Sequence, residues 1–306
     1  MSDIIAARDL VKRFGAFTAV DNISFSIPAG QCFGFLGPNG AGKTTTIRMI
    51  TCVSPVTAGS LTVAGMDVQT EPRRIKAALG VVPQDDNLDP DLTVCQNLRV
   101  YARYFDLPRK VAEERIDESL ALFQLEEKKD QRIDSLSSGM RRRLTIARGL
   151  INAPKILVLD EPTTGLDPQA RHMVWQKLRL LRSQGVTMLL TTHYMDEAAQ
   201  LCDRIVIMHR GQIRAEGTPD ELVERFAGRE VVEVHLGPHD RHDFLRHLQG
   251  RDGVTVEEVE DMLYVFVTGS DGLDVSSLSL DADKVALRKA NLEDVFLRLT
   301  GRGLVE

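Results

Sequence analysis

The sequence predicts an α/β fold built on a mostly parallel sheet, and two observations support this prediction. Several short apolar runs are bounded by turn residues, which is typical of strands that are buried on both faces. These runs are residues 32–37, 80–84, 155–160 and 186–193. Segments with helical spacing of apolar residues, such as 168–185, lie between them. Strands that alternate with helices favour a parallel sheet with helices packed on it.

Length, composition and charge limit the class of protein. A chain of 306 residues, of which 43% are hydrophobic, can bury a sizeable core in about two domains. Its net charge of −6 gives no general attraction to nucleic acid, so we expect no nucleic-acid partner. No signal peptide is evident, and no apolar run approaches the roughly 18 residues that span a bilayer. We therefore expect a soluble, cytoplasmic chain that acts at a membrane only through a partner.

The elements of the first domain follow in order along the chain. Residues 4–10 and 23–30 have the pattern of an antiparallel edge layer, and a helix is expected from about Lys43. Residues 92–135 are almost wholly helical, with a break at Pro108, which indicates a helical subdomain at about 88–135 that is inserted between strands. We expect residues 1–228 to form one domain.

Another helix begins within DSLSSGMRRRLTIARGL, residues 134–150. One buried helix face is predicted by the spacing of Met140, Leu144, Ala147 and Ile151. Ser137 or Ser138 is expected to cap this helix, and its N-terminus also suits an anion. Arg141, Arg142 and Arg143 either add positive potential there or form a solvated basic face.

The character of the sequence changes after residue 228. Strand-like and helix-like runs predict a small α+β domain over residues 229–306. A solvated loop explains the following histidines better than a metal site, because their spacing matches no ligand pattern: His235, His239, His242 and His247. We expect the widely spaced cysteines to be buried, reduced thiols: Cys32, Cys52, Cys95 and Cys202.

A complete G-x-x-x-x-G-K-T motif, the P-loop, follows the first buried strand and opens a helix. Its backbone amides can surround phosphate oxygens, Lys43 can reach the β- and γ-phosphates, and the Thr44 hydroxyl can bind Mg²⁺. The sequence therefore predicts an ATP site with Mg²⁺. The predicted nucleotide contacts are Gly37, Pro38, Asn39, Gly40, Ala41, Gly42, Lys43, Thr44 and Thr45.

An acidic pair ends the apolar strand at residues 155–160. Asp160 can hold the Mg²⁺ shell, and Glu161 can orient and deprotonate an attacking water. An acidic pair after a strand is common and by itself fits a solvated strand end equally well. The P-loop favours the catalytic interpretation.

Further short motifs lie between residues 10 and 195. They comprise Phe14, Gln84, the segment LSSGM at residues 136–140, the segment TGLD at 164–167, and His193. These motifs, in this order along the chain, resemble those of the nucleotide-binding subunits of ATP-binding-cassette transporters. The resemblance implies that Phe14 stacks on adenine, that Gln84 and His193 are catalytic, and that Gln84 is also a ligand of the metal. It also places Asp167 at the nucleotide and gives LSSGM, with Ser137 and Gly139, the role of the family's signature.

The resemblance also implies how such chains assemble. Two subunits pair head to tail, and the signature of each contacts the γ-phosphate of ATP held by the other. The C-terminal LEDVFLRLTGR and the run PQARHMVW resemble ATPases that export drugs, polysaccharides or nodulation factors. This implies a homodimer on the cytoplasmic side of the inner membrane, bound to a separate integral membrane permease.

Two alternatives remain open at this point. A soluble member of the superfamily acting in translation or DNA repair usually has two cassettes or a long coiled-coil insertion, and this chain has neither. An ATP-binding regulator without hydrolysis is disfavoured by the presence of Glu161 and His193.

Overall fold

The computed structural model describes residues 3–248, 253–259, 262–267 and 285–300. By its internal contacts the chain divides into two compact units, Met1–Ile213 and Arg214–Glu306. This division falls before residue 228 because helix Pro219–Phe226 packs against helix Leu292–Thr300. Within the described residues, no helix is both long and apolar enough to cross a membrane.

The strands and helices of the first unit, with its last strand continuing past Ile213, follow the alternation that the sequence predicts. The strands are β1 (Asp3–Phe14), β2 (Phe17–Pro28), β3 (Cys32–Leu36), β4 (Ala58–Val63), β5 (Met66–Asp67), β6 (Leu79–Val82), β7 (Ile156–Asp160), β8 (Thr187–Thr192), β9 (Arg204–His209) and β10 (Gln212–Gly217). The helices are α1 (Lys43–Ile50), α2 (Pro72–Ala78), α3 (Val94–Arg103), α4 (Arg109–Leu122), α5 (Ser138–Gly149), α6 (Pro168–Ser183) and α7 (Met195–Leu201), with 3-10 turns at Glu126–Lys128 and Ile133–Ser135.

A mostly parallel sheet with the strand order β10-β9-β3-β8-β7-β6 forms the centre of this unit. Strands β6, β7, β8, β3 and β9 pair in parallel, in that order across the sheet. Every residue of β3, β7 and β8 is buried, which confirms the interpretation of the apolar runs as strands covered on both faces. The carboxyl ends of these strands lie at one edge, where ligands of open α/β sheets bind.

The predicted antiparallel layer is confirmed as a second sheet, with the order β2-β1-β4-β5. It shares one hydrophobic core with the parallel sheet. In that core the Phe25 ring of β2 contacts the Phe35 ring of β3 edge to face, with 5.1 Å between centroids. Burial of such side chains contributes roughly 1.5–3 kcal/mol each and anchors the strand that leads into the P-loop.

Residues 88–135 contain α3 and α4, and the predicted break at Pro108 is confirmed because Pro108 is the N-cap of α4. A capping box of Thr93 and Gln96 begins α3. The two helices are joined by Arg99, whose Nε and Nη2 donate to the Glu113 carboxylate at 2.7 and 2.8 Å.

The second unit contains α8 (Pro219–Phe226), β11 (Glu230–His235), α9 (Pro238–Leu248), β12 (Val254–Val259), β13 (Met262–Val267), β14 (Val285–Lys289) and α10 (Leu292–Thr300). Its strands form an antiparallel sheet in the order β12-β13-β11-β14. This α+β composition agrees with the sequence prediction. Part of the predicted C-terminal domain, including residues 268–284 and 301–306, lies outside the described residues.

The expectation of a solvated loop around the histidines is wrong, because His235 is the last residue of β11 and only residues 236 and 237 separate it from α9. His239, His242 and His247 belong to α9, which begins at Pro238. Proline is favourable at the first position of a helix, and Phe244 and Leu248 lie four residues apart in a buried cluster. In the described part of the chain, no group of three or more His, Cys, Asp or Glu side chains could hold a metal.

The cysteines are free thiols, as expected. Cys32, Cys95 and Cys202 are buried and Cys52 is half-buried.

We predict that a chain ending at residue 229 remains folded and binds ATP, because every nucleotide motif lies upstream of that residue. In the chain ending at residue 229, α8 remains but has lost α10, against which it packs. A chain ending at Gly217, which also lacks α8, is therefore the matched control. Soluble expression and equilibrium binding of ATP measure the outcome. If neither chain is soluble and able to bind ATP, the second unit is required for folding of the first.

Candidate functional site

The P-loop joins β3 to α1, and its shape depends on two glycines. A Cβ at Gly37 would lie 2.4 Å from the Met208 carbonyl oxygen, so only glycine fits between the loop and β9. Gly42 has a φ of 105°, and a Cβ there would lie 2.6 Å from the Ala19 carbonyl oxygen. The loop therefore follows a path that brings its backbone amides close together ahead of α1.

Lys43, the first residue of α1, turns its side chain back across this loop. Its Nζ donates to the carbonyl oxygens of Gly37 at 2.7 Å and Pro38 at 3.1 Å. The same Nζ lies 4.0 Å from Oε1 of Glu161. Burial lowers the pKa of Lys43, and the carboxylates of Glu161 and Asp160 oppose this change. The buried Lys43 amine is therefore held inside the loop that the motif assigns to phosphate.

The Asp160 carboxylate lies at the end of β7, next to the start of α1. Its Oδ1 accepts a hydrogen bond from the Thr44 hydroxyl at 3.3 Å and another from the Thr191 hydroxyl of β8. A carboxylate beside a hydroxyl supplies the hard oxygen donors that Mg²⁺ prefers, and Mg²⁺ takes its remaining ligands from water and phosphates. Thr44 and Asp160 thus fit a magnesium ion that is bound together with ATP.

Glu161 adopts a left-handed backbone conformation, with a φ of 47°, directly after β7. Its amide donates to the Thr191 carbonyl oxygen at 3.0 Å and to the Thr191 hydroxyl at 3.1 Å, which secures this turn to β8. A non-glycine residue in this conformation is uncommon and persists only where its surroundings hold it there. The turn determines where the carboxylate points.

Groups from four chain segments surround the Glu161 carboxylate. The Gln84 amide donates to Oε2 at 3.3 Å, and the Thr164 hydroxyl donates to the same oxygen at 3.2 Å. Nδ1 of His193 lies 3.3 Å from Oε1, the same oxygen that the Lys43 ammonium approaches. The structure therefore brings together Lys43, Gln84, Glu161 and His193, which the sequence placed in separate motifs.

The remaining predicted residues occupy the positions that their motifs suggest, and their contacts with nucleotide stay predictions. Ser137 is the N-cap of α5, and its hydroxyl accepts from the Met140 amide at 3.2 Å, while Ser138 is the first helical residue. Asp167 is the N-cap of α6. The Phe14 ring is 52% exposed at the end of β1, with Nζ of Lys12 4.7 Å from its centroid.

The sequence assigned no contact with Glu161 or Asp160 to three residues of the site: Thr164, which it named only within the TGLD segment, Thr191 and Arg142. Thr191 belongs to no sequence motif. Its position in β8, paired with β7, nevertheless makes it a neighbour of Asp160. The interpretation of Arg142 as part of a solvated face is wrong, whereas its contribution of positive potential stays a prediction. The Arg142 side chain is buried, with 6% of its surface exposed, and donates to the backbone carbonyls of Gln84 and Glu161.

These features define a P-loop ATPase, and comparison with known proteins identifies its family. The model of the ABC transporter family matches residues 20–164. The chain is 47% identical to a Nod factor export ATP-binding protein I of Ralstonia nicotianae, over 98% of this chain and 94% of that protein. A protein of the same name from Rhizobium etli is 44% identical over 96% of this chain and 92% of its own length.

Solved structures show the same fold. An ATP-binding subunit of an ABC transporter aligns with a TM-score of 0.67 and 28% identity, over 74% of this chain and 94% of that one. A dimeric ATP-binding cassette bound to ADP and phosphate aligns with a TM-score of 0.65 and 26% identity, over 70% of this chain and 98% of that one. The chain belongs to the ABC transporter family and is an ATP-hydrolysing subunit of the export type.

Replacing Lys43 with alanine is predicted to weaken ATP binding, because it removes the buried cation of the P-loop. Loss of hydrogen bonds to a charged group costs about 1.5–3 kcal/mol, which corresponds to roughly 10–100-fold in affinity. Calorimetric titration with ATP measures the effect, and Lys155→Ala, at an exposed lysine before β7, is the control. Equal affinities of the two variants would contradict the assignment of the P-loop as the phosphate site.

Proposed function

We propose that Glu161 is the general base of ATP hydrolysis in this chain, and that the hydrolysis powers export through a separate membrane permease. The observation that supports this most strongly is the convergence of Lys43, Gln84, Thr164 and His193 on one buried carboxylate. A base in this position lies beside the P-loop, where the γ-phosphate would be bound.

In the proposed reaction, a water molecule lies between the Glu161 carboxylate and the γ-phosphorus. Glu161 takes a proton from the water as its oxygen bonds to phosphorus, and the bond from phosphorus to the β–γ bridging oxygen breaks to release ADP. Lys43 binds the phosphate oxygens, while Gln84 and His193 orient the carboxylate and the water. Mg²⁺ held by Thr44, Asp160 and Gln84 would neutralise charge on the phosphates.

We further propose that two copies of the chain pair head to tail around two ATP molecules. The N-terminus of α5, with Ser137 and Gly139, would contact the γ-phosphate that the P-loop of the other copy binds, because helix N-termini attract anions. Asp167 would lie at the same interface, and the exposed Phe14 ring would stack on adenine. The dimeric cassette among the similar structures supports this arrangement.

The transported molecule is proposed from the relatives alone. Several proteins that are 44–47% identical over nearly the whole chain are named Nod factor export ATP-binding protein I. By analogy, this chain would act peripherally on the cytoplasmic face of the inner membrane and drive export of a lipo-oligosaccharide nodulation factor. Residues 88–135 and Gln84 would transmit closure of the dimer to the permease.

Purification in mild detergent tests the assignment to an exporter. The proposal predicts that an integral membrane protein co-purifies with the chain from solubilised membranes. Recovery of the active ATPase only from the soluble fraction, bound to ribosomes or DNA, would instead favour a non-transport member of the superfamily.

Replacing Glu161 with glutamine is predicted to preserve binding of ATP and Mg²⁺ and to slow hydrolysis by about 10²–10⁴, the usual contribution of a general base. The amide keeps the shape of the side chain but cannot accept the proton from water. Steady-state phosphate release and ATP titration measure the two effects, with Glu118→Gln at an exposed site on α4 as the control. Hydrolysis at near the wild-type rate would exclude Glu161 as the base.

Replacing Ser138 with arginine is predicted to block hydrolysis and leave ATP binding by the same chain's P-loop nearly unchanged. The large side chain would prevent the N-terminus of α5 from approaching a phosphate on the other subunit, whereas Ser138→Gly should change turnover by less than about tenfold. Ser183→Arg, at the end of α6, controls for the added charge. Loss of ATP binding by Ser138→Arg would contradict head-to-tail pairing, and unchanged hydrolysis would show that residue 138 only forms part of a helix start.

A further inference from the structure

Arg142 lies in the second turn of α5, five residues after the N-cap Ser137, and its guanidinium is completely paired with backbone. A guanidinium has five N–H donors, and each of those of Arg142 has a carbonyl acceptor. Nε donates to Pro162 at 2.6 Å, Nη1 to Pro83 and Gln84 at 2.6 and 2.9 Å, and Nη2 to Asp160 and Glu161 at 3.0 and 2.9 Å.

These carbonyls belong to two chain segments that supply groups to the active site. Residues 83 and 84 follow β6, and residues 160–162 form the left-handed turn at the end of β7. Near that turn, buried carbonyls without partners would each cost about 1–3 kcal/mol. The Glu161 carbonyl also accepts from the Thr164 amide at 3.4 Å, but Arg142 donates to all five carbonyls at once, so it stabilises the backbone that directs Glu161 and Gln84 toward each other.

A second arginine of the same helix supports this interpretation. Nη1 and Nη2 of Arg148 donate to the carbonyls of Asn87 and Asp86 at 2.7 and 2.9 Å. Its guanidinium carbon also lies 5.3 Å from the centroid of the Tyr101 ring on α3. Residues 83–87 lead from β6 toward residues 88–135. They are therefore hydrogen-bonded to α5 at both ends, by Arg142 and by Arg148.

We propose that Arg142 is a positioning residue for ATP hydrolysis, which holds the turn of Glu161 and the Gln84 segment in register with the helix that carries Ser137 and Gly139. This inference rests on the proposed role of Glu161 as the base. Helix α5 would then have two roles. Its N-terminus would contact the nucleotide of the other subunit, and its Arg142 side chain would position the base of its own subunit.

A lysine or glutamine at position 142 cannot replace these contacts, because lysine has three donors and glutamine two. Burial lowers the pKa of Arg142 while nearby Glu197 and Asp160 raise it, and the guanidinium stays charged at neutral pH. Lysine would keep the charge but lose the planar fork of donors. The number of carbonyls satisfied, rather than charge alone, should therefore determine activity.

The test compares Arg142→Lys and Arg142→Gln with Arg143→Gln, a neighbouring change that removes one hydrogen bond, from Arg143 to the Phe123 carbonyl. We expect both Arg142 variants to lower kcat at least about tenfold, glutamine more than lysine, with ATP affinity within about threefold of wild type. Arg143→Gln should keep kcat within about threefold. Thermal unfolding identifies the folded variants, and if only Arg142→Lys folds, its kcat decides. An unchanged kcat, or a loss that matches Arg143→Gln, would overturn the proposal.

Combining Arg142→Gln with Glu161→Gln shows whether Arg142 acts through Glu161. If it does, the arginine change should lower the residual single-turnover rate of Glu161→Gln by less than about twofold, because the base is already absent. If the folded double variant loses the full factor seen in the single Arg142→Gln variant, Arg142 acts independently of Glu161 and the inference is wrong. A near wild-type rate of Glu161→Gln alone would instead reject the proposed base, so the two failures are distinguishable. Where Arg142→Gln does not fold, Arg142→Lys takes its place in the double variant.

Discussion

The burial of a carboxylate at the end of β7 is the constraint on which the rest of the site depends. Glu161 is 6% exposed, and a buried charge costs several kcal/mol unless it is paired and hydrogen-bonded. Its partners come from α1, from the segment after β6, from the loop after β7 and from the end of β8. Because these strands are parallel, their carboxyl ends meet at one edge, and groups far apart in sequence can stabilise one carboxylate.

The backbone that carries this carboxylate is also stabilised by hydrogen bonds. Arg142, on helix α5 outside the sheet, donates to the carbonyls of Asp160 and Glu161. A side chain that satisfies the carbonyls of both strand ends makes the position of α5 part of the geometry of the base. The helix that would contact the nucleotide of a second subunit is thus hydrogen-bonded to the turn of Glu161, the proposed base, in the first. Closure of the dimer and alignment of the base would then depend on the same rigid element, which gives a physical basis for coupling between them.

The sequence predicted the alternating strands and helices of the first unit and three of the four groups at the Glu161 carboxylate, those of Lys43, Gln84 and His193. Continuous apolar runs report burial on both faces, and a P-loop allows little variation in residue type, so both leave a clear pattern. Arg142 could not be predicted, because its acceptors are backbone carbonyls, which any residue type supplies. The histidines around Gly237 were assigned to a loop, although Phe244 and Leu248 stabilise a helix there by packing in a buried cluster. The sequence could not tell which of the two adjacent serines caps α5, because both have the same side chain. The cap is Ser137, whose backbone is extended, and the helix begins at Ser138.

In the proposed dimer, the residues around Glu161 form half of each catalytic site, and a second chain completes it. Mixing Lys43→Ala with Ser138→Arg tests this sharing of sites, because the first variant retains its signature and the second retains its P-loop. In a mixed dimer, one site combines the intact P-loop of one chain with the intact signature of the other. With random pairing, half of the dimers are mixed and each has one intact site, so ATPase activity should return to about a quarter of wild type. If the mixture, shown to contain mixed dimers, is no more active than the separate variants, the site is not shared between chains and the account is wrong.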